Sequence, residues 1–139
     1  MSLAAMNDDS LSTRLLPRLR SSFPDLVLKV GRPPDPVVTI QAIHPDVGGV
    51  EIYDDGEELT VGLGNFTHAH VGSGEDSKDR IVDLAVELLS DLFSDALVLW
   101  GSHSGSGGYY KKGHASSLAD RLSKGSGLYV WSGPLRDRS

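Results

Sequence analysis

Residues 50 to 64, VEIYDDGEELTVGLG, constrain the fold more than any other stretch. Two runs of alternating apolar and polar residues flank Asp54-Asp55-Gly56-Glu57, and an Asp-Gly pair supplies the positive φ angles that a tight turn demands. The two runs pair as an antiparallel hairpin. Upstream, VVTIQAIH at 37 to 44 sets Val38, Ile40 and Ala42 against Thr39 and Gln41, the pattern of a half-buried strand. DLVLKV at 25 to 30 is a further strand candidate, joined to it by the rigid connector RPPDP at 32 to 36.

The period then changes. In SKDRIVDLAVELLSDLFS, residues 77 to 94, Ile81, Leu84, Ala85, Leu88 and Leu92 form one apolar stripe at helical spacing, with Asp76 or Ser77 as the cap. A shorter helix is expected near the start, where Leu11, Leu15 and Leu19 recur every fourth residue behind Ser10 or Ser12, shortened or kinked by Pro17. After the main helix, ALVLW at 96 to 100 reads as a buried strand. A low-complexity stretch follows, then a short helix LADRLSK closed by Gly125 and a last strand LYVWSGPL.

This order predicts one α+β domain over residues 1 to 139, a two-layer sandwich whose sheet of about six strands is mostly antiparallel and carries its helices on one face. Residues 1 to 9 and 136 to 139 are expected to fray, and 102 to 116 to form a flexible loop. A chain of 139 residues closes one core without a staple, and with no cysteine neither a disulfide nor a thiolate metal site is available. The absence of a long apolar run or a signal-like start predicts a cytoplasmic protein with no membrane partner. The formal net charge of −6, with scattered Lys and Arg, argues against nucleic acid as a partner.

Two constellations carry chemistry. In NFTHAHVGSG, residues 65 to 74, the hairpin's second strand is expected to run on, so that His68 and His70 project from one face together with Gly62, Gly64 and Phe66. Two such imidazoles can ligate Zn²⁺, and His103, just past the ALVLW strand, is the natural third ligand. His44 and His114 are reserves, and Asp46 or Asp76 can offer an oxygen. The spacing matches no known hydrolase motif. GSHSG at 101 to 105 has His103 where a nucleophile elbow needs serine, and the glycine pieces lack a phosphate-binding pattern. Glycines 62 and 64 leave room for an approaching aromatic group, and Trp100, Tyr109, Tyr110, Tyr129 and Trp131 lie in the C-terminal third. A small-ligand sensor would use that face.

The second constellation is an acidic row on the main helix. Asp79, Asp83, Glu87 and Asp91 repeat every fourth residue, and Asp95 extends the row. Like charges at this spacing weaken a helix, so the row opposes the helix's own stability and suggests a docking surface for a basic protein. In general type, a small acidic cysteine-free α+β domain is similar to bacterial immunity and adaptor proteins. The leading expectation is therefore a non-catalytic cytoplasmic interaction module without a cofactor. The alternatives are a metal-binding protein or hydrolase built on His68, His70 and His103, and a small-ligand sensor domain.

Overall fold

The computed structural model describes residues 10 to 101, 107 to 112 and 127 to 136. These build an α+β fold in the order α1 (Leu11–Ser22), β1 (Leu28–Val30), β2 (Val38–Ile40), β3 (Val50–Asp54), β4 (Leu59–Leu63), β5 (Thr67–Val71), α2 (Lys78–Phe93), β6 (Leu97–Gly101), β7 (Gly107–Lys111), β8 (Gly127–Val130) and β9 (Gly133–Arg136). Strands β1 to β5 form one antiparallel sheet in chain order, and β7-β6-β8-β9 form a second. The strands therefore split between two sheets where the sequence pattern suggests a single one.

The β3–β4 hairpin forms at the expected place, with Val50 opposite Leu63 and Asp54 opposite Leu59. Its turn is held by aspartate side chains: Asp54 accepts from the Gly56 amide at 2.9 Å, and Asp55 from the Glu57 and Glu58 amides at 3.1 and 2.8 Å. The strand after it does not run on through the histidines. The chain turns at Gly64-Asn65-Phe66, and β5 returns along β4 with Gly62 opposite His68 and Thr60 opposite His70. Gly64 has φ +61, and a Cβ there would meet the Val47 carbonyl, so only glycine fits. Gly64 and Phe66 consequently leave the face that carries the two histidines.

Two more local expectations change. Part of the expected loop 102 to 116 is strand β7, paired along its whole length with β6 from Gly101–Gly107 to Leu97–Lys111. Two glycines at its start hid it, since glycine is a poor strand former. The last strand folds back at Trp131-Ser132 into the β8–β9 hairpin. Residues 1 to 9 and 137 to 139, most of the expected 102 to 116 loop, and the LADRLSK helix lie outside the described residues.

Helix α1 carries Pro17 within its twelve residues and stays α-helical. Proline removes the hydrogen bond to the Thr13 carbonyl, but both residues face solvent, so water can satisfy that oxygen. So short a helix is not stable alone; Leu11, Leu15 and Leu19 are fully buried, and each such side chain contributes about 1.5–3 kcal/mol. Helix α2 starts at Ser77, whose hydroxyl accepts from the Arg80 amide at 3.1 Å.

The buried face of α2 is Ile81, Val82, Ala85, Leu89 and Leu92, while Leu84 and Leu88 are only half-buried. The predicted stripe is thus rotated. The cause is α1, which packs on one flank of α2 and draws its buried arc toward Val82 and Leu89. The opposite flank, with Leu84 and Leu88, is left at the margin. Asp95, just past α2, has φ +63 and binds the turn of the second sheet, accepting from the Ser132 amide at 3.1 Å and its hydroxyl at 2.5 Å. It is a tie between elements and does not extend the acidic row.

Candidate functional site

A residue every fourth position along an α-helix drifts about 40° per step around the axis, because four residues exceed one turn. The acidic row is therefore a spiral that starts on the α1 flank and ends on the opposite one. At its start, Arg14 Nη1 lies 2.6 Å from Asp79 Oδ1 and Arg18 Nη1 lies 2.5 Å from Asp83 Oδ1. Both pairs step four residues along each helix, so α1 and α2 run parallel where they touch, and Phe23 meets Phe93 edge-on at 5.1 Å further along. Asp79 and Asp83 thus each have a cation of α1 beside them, although both carboxylates stay exposed.

The end of the spiral differs. Asp91 reaches Lys111 of β7 at 3.5 Å, and Glu87 has no ion-pair partner among the described residues. Between them and β7 runs a groove of about 280 Å³ lined by Leu84, Glu87, Leu88, Asp91, Leu97, Tyr109 and Lys111. Tyr109 is 38% exposed, one of the large apolar side chains that the fold leaves uncovered. The site is an apolar trough with a carboxylate rim. The sequence signal for it was present in Leu84 and Leu88, placed in the predicted core, and in Tyr109, placed in a loop.

His68 and His70 project side by side from the solvent face of the first sheet, their rings edge-on at 5.0 Å. His70 Nδ1 lies 3.1 Å from Glu58 Oε1 and 3.3 Å from Thr60 Oγ1. His44 is remote in role: its Nδ1 accepts from the Asp46 amide at 3.1 Å, inside the loop before β3. Asp76 closes the Ser73 turn, accepting from that residue's amide at 3.0 Å. His103 and His114 lie outside the described residues. Among the described residues no three His, Asp or Glu side chains gather in a way that would hold a metal ion.

A wider concavity of about 510 Å³ lies between the β3–β4 turn and the loop before α2, lined by Asp55, Glu57, Glu58, Ser73 and Gly74. On the same sheet face Tyr53 donates to Glu51 Oε2 at 3.2 Å. Desolvation against the sheet, and then the neighbouring Glu51 carboxylate, raise its phenol above the ordinary value of 10.0. The glycine and aromatic face imagined for a sensor is not formed by Gly62, where a Cβ would make only ordinary contact with Glu51. Aromatic packing over glycine occurs elsewhere: Phe66 covers Gly101, Trp100 covers Gly108, and Phe66 stacks on Tyr129 at 4.5 Å.

The chain matches no protein family, no curated protein and no solved structure. Among the described residues no helix is long and apolar enough to cross a membrane.

Proposed function

We propose that this chain is a non-catalytic, cytoplasmic protein-interaction module, of an immunity- or adaptor-like kind, that binds a basic partner through the second half of α2. The observation carrying this reading is the uneven treatment of the acidic row. Asp79 and Asp83 are matched by Arg14 and Arg18, whereas among the described residues Glu87 stands unmatched beside an apolar trough. An aliphatic contact flanked by a carboxylate suits a cationic segment: apolar burial supplies the affinity, and the charge supplies orientation and rate.

The test is a nuclear magnetic resonance titration of the chain with short blocked peptides that combine lysine and valine. Shifts should concentrate at Leu84, Glu87, Leu88 and Tyr109, and shrink as salt screens charges beyond about 8–10 Å. Glu87→Lys should abolish them. Shifts centred on Asp79 and Asp83, or spread evenly over the surface, would sink the proposal.

A second reading, a metal-binding protein or hydrolase, rests on the adjacency of His68 and His70 with Glu58 beside them. It needs a further ligand such as His103, because two imidazoles on one strand make only half of a zinc site.

A further inference from the structure

We infer that the partner docks as an extended strand on the open edge of β7, a mode of binding that rests on the reading of α2 given above. Among the described residues strand β7 ends its sheet, and no ladder joins it to β5, although Gly107 lies against Phe66, the residue just before β5. Its free edge can be read from the register. The Lys112 amide donates to the Ala96 carbonyl at 2.9 Å. Bonded and non-bonded pairs alternate along an antiparallel ladder, so Tyr110–Val98 and Gly108–Trp100 are the next bonded pairs. The main-chain N–H and C=O groups of Tyr109 and Lys111 therefore point away from β6, toward the open edge.

Side-chain direction completes the argument. Tyr109 stands opposite Leu99 and Lys111 opposite Leu97, both core residues, so these β7 side chains lie on the face that α2 covers. That is the face of the trough. In a ladder, directly opposed residues share a face, so a strand bonded to Tyr109 and Lys111 sends two of its side chains, two positions apart, toward α2. One meets Leu84, Leu88 and Tyr109, which selects an aliphatic residue. The other stands opposite Lys111, beside the carboxylate rim of Glu87 and Asp91, which selects lysine or arginine. The residue between them points to the other face of the sheet.

Of the other three outer strands, β5 contributes no residue to the trough, and the remaining two are poorer templates. Strand β9 contains Pro134, which has no N–H to offer, and β1 is only three residues long. Strand β7 has neither protection. Lys111 could repel an incoming strand, but its ammonium is drawn to Asp91 on the helix. The occupant is thus an extended segment of a partner protein in which an aliphatic residue and a basic residue stand two positions apart.

The experiment uses the whole chain and a blocked peptide alternating threonine with valine and lysine, together with versions N-methylated at one residue at a time. N-methylation removes a single main-chain donor and leaves every side chain in place. Antiparallel strand addition predicts a period of two: methylation at residues facing Tyr109 and Lys111 weakens binding about tenfold, and methylation at the intervening residues does not. The Tyr109 and Lys111 amides should gain exchange protection in the complex. Binding that shifts Glu87 and Leu88 but responds evenly to N-methylation, with no new protection on β7, overturns strand addition while leaving the basic-partner reading intact. No shift at α2 with any peptide overturns both.

Discussion

The two inner residues of the acidic row should respond in opposite ways to charge reversal, and this separates structural carboxylates from free ones. Asp83→Lys removes the pair with Arg18 and sets two cations against each other. The side chains are 44% and 49% exposed, so losing the pair costs about 0.5–1 kcal/mol, and the new repulsion adds a similar amount. Against this, Lys at that position gains favourable spacing from Asp79 and Glu87, worth about 0.2–0.5 kcal/mol each. The net effect is a loss of about 0.5–1 kcal/mol. Glu87→Lys breaks no ion pair of the fold. It replaces two like-charged neighbours, Asp83 and Asp91, by two opposite ones, and should gain about 0.5–1 kcal/mol. The variants should therefore differ by about 1–2 kcal/mol, or several degrees in melting temperature for a domain of this size. Urea unfolding followed by circular dichroism at low salt measures the difference, and added salt should shrink it. If Asp83→Lys is as stable as Glu87→Lys, the Arg18 pair has no weight and the division of the row fails.

Other outcomes follow from the same geometry. Leu89→Ala should cost about 2–5 kcal/mol, as expected for a fully buried leucine, and Leu88→Ala about 1 kcal/mol; equal losses in a denaturation series would put the core on the wrong side of α2. Calorimetric titration of the wild type with Zn²⁺ should show no saturable uptake, whereas stoichiometric uptake that disappears in the His68→Ala, His70→Ala double variant would revive the metal alternative. In a spectrophotometric titration Tyr53 should ionise above 10.0, and Glu51→Gln should bring its midpoint down, because the carboxylate opposes the phenolate. The proton is held more tightly in the folded state, so this small stabilisation is present below the ordinary phenol pKa and is lost as pH rises through the raised one.

Local chemistry makes the hairpin at Asp54 to Glu58, the helix over Lys78 to Phe93 and the strand at Leu97 legible in the sequence, because each depends on neighbours within a few residues. The Gly64-Asn65 turn is not legible in the same way, because the run of alternating residues around it reads as one continuous strand. What the chain does not reveal locally is partnership over distance. Arg14 and Arg18 lie sixty-five residues from the aspartates they neutralise, and Tyr109 and Lys111 reach α2 only because β7 pairs with β6. The row therefore looks uniform as a string of letters and is divided in space.

That division bears on how binding would work. A formal charge of −6 acts over the whole surface and draws in cations from any direction, a long-range pull that salt weakens and that governs the rate of encounter. It carries no register. Register has to come from groups that are fixed and not already satisfied, and among the carboxylates of α2 that condition singles out Glu87, held by a helix whose opposite face is anchored in the core by Ile81, Val82, Ala85, Leu89 and Leu92. The ion pairs to Arg14 and Arg18 compete for two of the acids, and the buried face of the helix fixes the third. On this reading, the lifetime of a complex depends on the trough of Leu84, Leu88 and Tyr109 and on the edge of β7, and the acidic surface as a whole sets only how often a partner arrives.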